Sequence, residues 1–126
     1  MLIKIIMVIT GGALGALTRY SIGSQIDKNI NINFPIGIFF VNLIGCFFIG
    51  LILSLFENKF LLSENIKIFL IIGFLGSLTT FSTFALDNYN FLNQKSLYLL
   101  FLNIFLTNFF GLLMVLLGIK TIKLFN

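Results

Sequence analysis

The sequence predicts an all-α membrane protein of four transmembrane helices, on three observations. Charge is scarce: 8 Lys or Arg and 4 Asp or Glu among 126 residues make 10%, where soluble domains carry about a quarter. Apolar residues make up 59% and the mean hydropathy is +1.11. The charges are also spaced to leave long uncharged runs: Ile5–Thr18 continuing past Arg19 to Ile26, Asn29–Phe56, Ile68–Leu86 and Ser96–Ile119. A spanning helix needs roughly 20 mostly apolar residues. The runs therefore predict spans at about 3–25, 36–56, 66–86 and 97–119, with short loops and one transmembrane domain over residues 1–126.

Several chemistries are excluded before any motif is read. There is no His and a single Cys, Cys46. A His-ligated metal site, a Ser-His-Asp triad, a Cys-His pair and an internal disulfide all fail on inventory, so an enzyme is not expected. All four carboxylates, Asp27, Glu57, Glu64 and Asp87, fall at span ends. Proton-coupled carriers usually place a titratable group near a midplane, and none is there.

Span 1 opens with Lys4 and an apolar run that would suit a signal peptide, but the run continues beyond Arg19 as Tyr20-Ser21-Ile22-Gly23 and reads as helix. Gly11, Gly15, Arg19 and Gly23 are four apart and share a face, a pattern that permits close helix packing. Arg19 can snorkel to the interface, lend positive charge to a vestibule or anchor a partner loop. The Asn-rich link 29–35 ends in the only proline, Pro35, suited to the first turn of span 2. In span 2, Asn42, Gly45 and Cys46 share a face. Asn42 can be interhelical glue or line a pore with its amide N–H groups, and Cys46 reads as a small packing residue. Glu57-Asn58-Lys59 ends the span, and Ser63-Glu64-Asn65 reads as a cap before the next.

Span 3 holds Gly73, Gly76, Ser77, Thr79, Thr80, Ser82 and Thr83 at its middle, a composition that weakens a helix. The expectation is a broken third helix. Within a membrane such a break is tolerated only inside protein or beside a cavity, and its freed carbonyls are ready cation ligands. Phe81 and Phe84 lie beside the break, and phenyl edges carry partial positive charge. Asp87-Asn88-Tyr89-Asn90 closes this span. Span 4 carries Asn103, Thr107 and Gly111 at four-residue spacing, with Asn108 adjacent, as interface glue or as a pore wall. Lys120 and Lys123 end it.

The charge balance leaves orientation open. Lys4, Lys59, Lys67, Lys120 and Lys123 lie on one side of a four-span chain, against Arg19, Lys28 and Lys95 on the other. The positive-inside rule reads this small difference either as cytoplasmic termini or as insertion in both orientations with antiparallel self-pairing.

Three blocks, GGALGALTRY at 11–20, PIGIFFVNLIGC at 35–46 and GFLGSLTTFSTF at 73–84, together resemble the fluoride channel family, known as Fluc or CrcB. That family's patterns run roughly G-G-x-x-G-A-x-x-R-Y, P-x-G-T-x-x-V-N-x-x-G-S and G-x-x-G-G-x-T-T-F-S-T-F. The resemblance covers the whole chain in order, and TTFSTF beside the other two blocks is its most specific part. It implies an antiparallel, dual-topology homodimer in the cell (inner) membrane that exports fluoride passively. It further implies a pore lined by Asn42, Phe81, Phe84, Ser82, Thr83, Thr107 and Asn103, and Arg19 as a vestibule or structural residue. A structural Na⁺ on the backbone carbonyls of Gly76 and Thr79 is part of the same implication. The partners implied are fluoride, membrane lipid and a second copy, with no nucleic acid. Ile38, Cys46 and Ser77 depart from the pattern, and Ile38 removes a polar pore contact. A small dual-topology multidrug transporter is the alternative of like size, but that class needs an embedded Glu, which span 1 lacks.

Overall fold

The computed structural model describes residues 1–30, 32–57 and 63–124. Every regular element among them is helical: α1 (Leu2–Asn29), α2 (Ile36–Glu57), α3 (Glu64–Lys67), a π-helical stretch (Ile68–Leu75), α4 (Gly76–Leu78), α5 (Phe81–Asn93) and α6 (Leu97–Lys123). Four segments are long and apolar enough to cross a membrane: Leu2–Asn29, Ile36–Glu57, Glu64–Asn93 and Leu97–Lys123. Each runs beyond its hydropathy-defined span at one or both ends, because polar residues at a bilayer boundary can extend a helix that lipid no longer requires. Asn31, and the expected end of span 2 at Asn58-Lys59, lie outside the described residues.

The ends are fixed by local chemistry. Pro35 precedes α2, and its carbonyl accepts from Phe39 N–H at 3.0 Å. Pro at this point loses nothing, since the first N–H groups of a helix have no internal partner. One of those orphans, Gly37 N–H, donates to Asp27 Oδ1 of α1 at 2.8 Å, a charge-favoured position at a helix start. The expected cap at Ser63 is present, its side chain accepting from Ile66 N–H at 3.4 Å. Lys4 Nζ meets Glu64 Oε1 at 2.7 Å, which puts the start of α1 and the start of the third span on one side of the bundle.

Lipid tails are as apolar as Leu, so helices in a membrane associate by close packing rather than by burial from water. The buried apolar cluster is accordingly small: Val41, Ile52, Leu75 and Leu78. Glycines bring backbones together around it. A Cβ on Gly11 would stand 2.6 Å from Phe69 O and 3.1 Å from Gly73 Cα, and one on Gly15 would strike Phe74 O. That crossing joins α1 to the π stretch. On the other side, Gly50 lies against Val115 O and Gly118 against Phe47 O, which joins α2 to α6. The bundle is thus two tight pairs, and the middle of the third span lies between them.

Candidate functional site

The site forms where the third span changes course. Thr79 (φ −78°, ψ 153°) and Thr80 (φ −146°, ψ 121°) are extended, and helix resumes at Phe81. Extended residues inside a spanning segment leave backbone groups that must find partners elsewhere. Asn42 supplies two of them. Its Oδ1 accepts from Thr80 N–H at 2.8 Å and its Nδ2 donates to Thr80 O at 3.3 Å. A primary amide carries one acceptor and two N–H donors, so this clamp engages only one donor. One turn on, Gly45 lets the Thr79 methyl sit directly on the α2 backbone.

Thr80 then starts the next helix. Its Oγ1 accepts from Thr83 N–H at 3.2 Å, as an N-cap does, and the hydroxyls of Ser82 and Thr83 gather on it at 3.2 and 3.1 Å. On the opposite side, Arg19 Nη1 donates to Thr79 O at 3.4 Å. Arg19 is therefore not at the lipid surface alone; its guanidinium touches the interruption from α1.

A cleft of about 430 Å³ opens beside this point. Its lining brings together Asn42, Thr79, Phe81, Phe84 and Thr107 of the sequence-predicted residues, with Thr80, Cys46 and Asn108. No carboxylate lines it. The Phe81 and Phe84 rings stand 5.7 Å apart at 44°, Phe81 being 78% exposed on the protomer.

Asn103, Ser82, Thr83, Arg19 and Gly76 are not among the lining residues. Asn103 is buried, and its Nδ2 donates to Asn88 Oδ1 at 2.8 Å while its Oδ1 accepts from Thr107 Oγ1 at 3.3 Å. It holds Thr107 in place from behind. Sequence reasoning assigned no site role to Thr80 or to Asn88. Thr80 had a signal in the T-x-x-T spacing of a cap. Asn88 had none, because its pairing with Asn103 exists only once α5 and α6 are packed.

Four apolar helices, with a third span interrupted beside a cleft of neutral hydrogen-bonding groups, define a small multi-span membrane protein of the channel or carrier kind. Residues 6–119 match the family described as CrcB-like protein, Camphor Resistance (CrcB), and the chain belongs to that family. Among similar proteins, the fluoride-specific ion channel FluC 3 of Methanosarcina barkeri is 42% identical over 120 residues, 95% of this chain and 89% of that one. The fluoride-specific ion channel FluC of Hydrogenovibrio crunogenus is 42% identical over 123 residues, 98% and 93% of the two chains. That of Desulfotalea psychrophila is 46% identical over 114 residues, 90% and 88%.

Proposed function

We propose that this chain is a passive fluoride channel, assembled as an antiparallel homodimer from copies inserted in both orientations in the inner membrane of the cell. The cleft carries the reading. It offers N–H and ring-edge donors from Asn42, Phe81 and Phe84 beside the hydroxyl of Thr107, with no carboxylate among its lining residues. The relatives' names point the same way. Fluoride is small and strongly hydrated, so it enters a pore only where donors replace its water, as carbonyls replace the water of cations in cation filters. The second N–H of Asn42 is such a donor, and the Thr107 O–H becomes one on turning from Asn103 Oδ1 to the ion. Ser82 and Thr83 sit in the first turn of α5, whose positive dipole end favours an anion nearby. Asn103 orients Thr107. None of these groups exchanges a proton in passing an anion. Export then follows the gradient left when weakly acidic HF crosses the membrane and dissociates inside.

Pairing completes the pathway in this reading. Phe81 lines the cleft and is exposed, and in this reading an inverted second copy covers it. The near-even charge balance allows both insertions. A structural Na⁺ belongs to the same proposal, held by the carbonyls of Gly76 and Thr79. The bonding supports it: Thr80 N–H, which an uninterrupted helix would return to Gly76 O, goes to Asn42 instead, and Thr79 O follows extended backbone. Arg19 takes one lone pair of Thr79 O and leaves the other. When bound, the ion supplies fixed positive charge at the centre of the dimer.

Liposomes test the function directly. Vesicles loaded with potassium fluoride and containing the purified protein should release fluoride rapidly when a potassium ionophore is added. Release no faster than from protein-free vesicles, by a protein shown to be folded, overturns the proposal.

A further inference from the structure

Two cavities away from the cleft adjoin at the end of the bundle where α1 and α5 finish and α2 and α6 begin. One, about 280 Å³, is polar and is faced by Asp27, Asn33, Asp87, Asn90 and Gln94. The other, about 490 Å³, is a groove between α2 and α6 where Ile36, Phe39, Phe40, Leu99, Leu102 and Leu106 present only carbon. Ile32, Asn33 and Phe34 line both. The two therefore adjoin across this segment, a polar site beside an apolar one. The polar part lies at helix ends, and the apolar part runs inward along two spanning helices.

The charges define what the polar part can hold. Asp27 spends Oδ1 on Gly37 N–H. Asp87 Oδ2 is buried with no hydrogen-bond partner among the described residues. A buried carboxylate oxygen left unpaired is costly, so this end lacks an N–H donor that an occupant could bring. Lys95 follows Gln94 in the turn between α5 and α6 and is exposed, with no ion pair among the described residues. The site thus offers carboxylates for a cation, an exposed lysine next in sequence to the lining residue Gln94 for an anion, and a carbon-lined groove adjoining. A phospholipid with a primary ammonium in a small headgroup matches all three, and its depth matches as well: headgroup at the helix ends, chain in the hydrocarbon.

We propose that this face binds a phosphatidylethanolamine-type lipid, its ammonium on Asp87 and Asp27, its phosphate toward Lys95 and an acyl chain in the α2–α6 groove. The inference rests on the chain being membrane-embedded and not on what it conducts.

The test uses the full-length protein, purified in detergent with an equimolar mixture of phosphatidylethanolamine, phosphatidylcholine and phosphatidylglycerol of identical acyl chains. Native mass spectrometry counts the lipids retained. Phosphatidylethanolamine should exceed phosphatidylcholine, which has the same phosphate but no N–H donor, by about tenfold, the ratio that one charge-assisted hydrogen bond supplies. Asp87→Asn should bring that ratio to about one, and Leu102→Trp, which fills the groove, should reduce retention of all three. Equal retention of the ethanolamine and choline lipids by the unmodified protein overturns the proposal, whatever the variants do. So does an absence of retained lipid with Leu102→Trp changing the number of copies per particle, which would make the groove a contact between chains.

Discussion

At the scale of single residues, Asn42 holds the fold and also faces the cleft. Its Oδ1 and one of its N–H groups replace the helical partners that Thr80 gives up. Removing both, as in Asn42→Ala, exposes two backbone groups inside the membrane and should destabilise the protein by about 1–3 kcal/mol. Asn42→Asp keeps an acceptor for Thr80 N–H, but it deletes the donors, sets its second oxygen against Thr80 O and places negative charge beside the cleft. Fluoride release from liposomes should be lost, and the thermal unfolding midpoint should fall as with Asn42→Ala, since two facing acceptors cannot bond. Phe81 and Phe84 provide the complementary case, since neither makes a hydrogen bond that the fold requires. Phe81→Ile and Phe84→Ile keep the apolar volume and remove the ring edges. Each should cut fluoride release strongly while the variant elutes as the unmodified protein does, and unchanged release in both would remove them from the pathway.

At the scale of elements, the third span is positioned by what α1 and α2 leave out. Gly45 gives the Thr79 side chain its place, so Gly45→Ala should displace the interruption and lower fluoride release. Gly76→Ala should be far milder, because the nearest atom to its added Cβ is Ile71 O at an ordinary 3.5 Å. Measuring release and unfolding midpoints for this pair distinguishes a packing requirement from a general dislike of substitution. The contrast also shows how much the sequence disclosed. Four spans were legible because charge and hydropathy are one-dimensional signals, and the Ser63 cap because its pattern is local. The weak helical composition of 76–83 marked where the ladder changes. The route taken by the freed groups was not legible: Asn42 to Thr80, Arg19 to Thr79 and Asn103 to Asn88 are contacts between elements far apart in sequence. Nor was the π stretch, since Ile68–Leu75 is apolar throughout and its composition suits either bonding pattern.

At the scale of the whole molecule, the proposed insertion in both orientations rests on the small excess of positive charge on one side. Three lysines appended after Asn126 should bias the chain toward one orientation, and three inserted in the link after Asn29 toward the other. In the antiparallel reading neither variant alone releases fluoride from liposomes, and the two co-expressed and purified together do. Activity in either variant alone would show that a single orientation suffices.

The π stretch has a consequence for how the chain tolerates change in length. Gly76 N–H reaches back five residues to Ile71 O rather than four, so this part of the span stores a spare residue relative to an α-helix. Deleting Ile72, which is exposed, can be absorbed by a return to four-residue bonding, leaving Thr79 and Thr80 in register with Asn42. Deleting Ile38 from α2 has no such reserve and would turn Asn42 by roughly 100° relative to the helix start. The first variant should retain measurable fluoride release and the second should lose it. By this route the third span of this chain can shorten by a residue without misaligning its interruption, whereas its second span cannot.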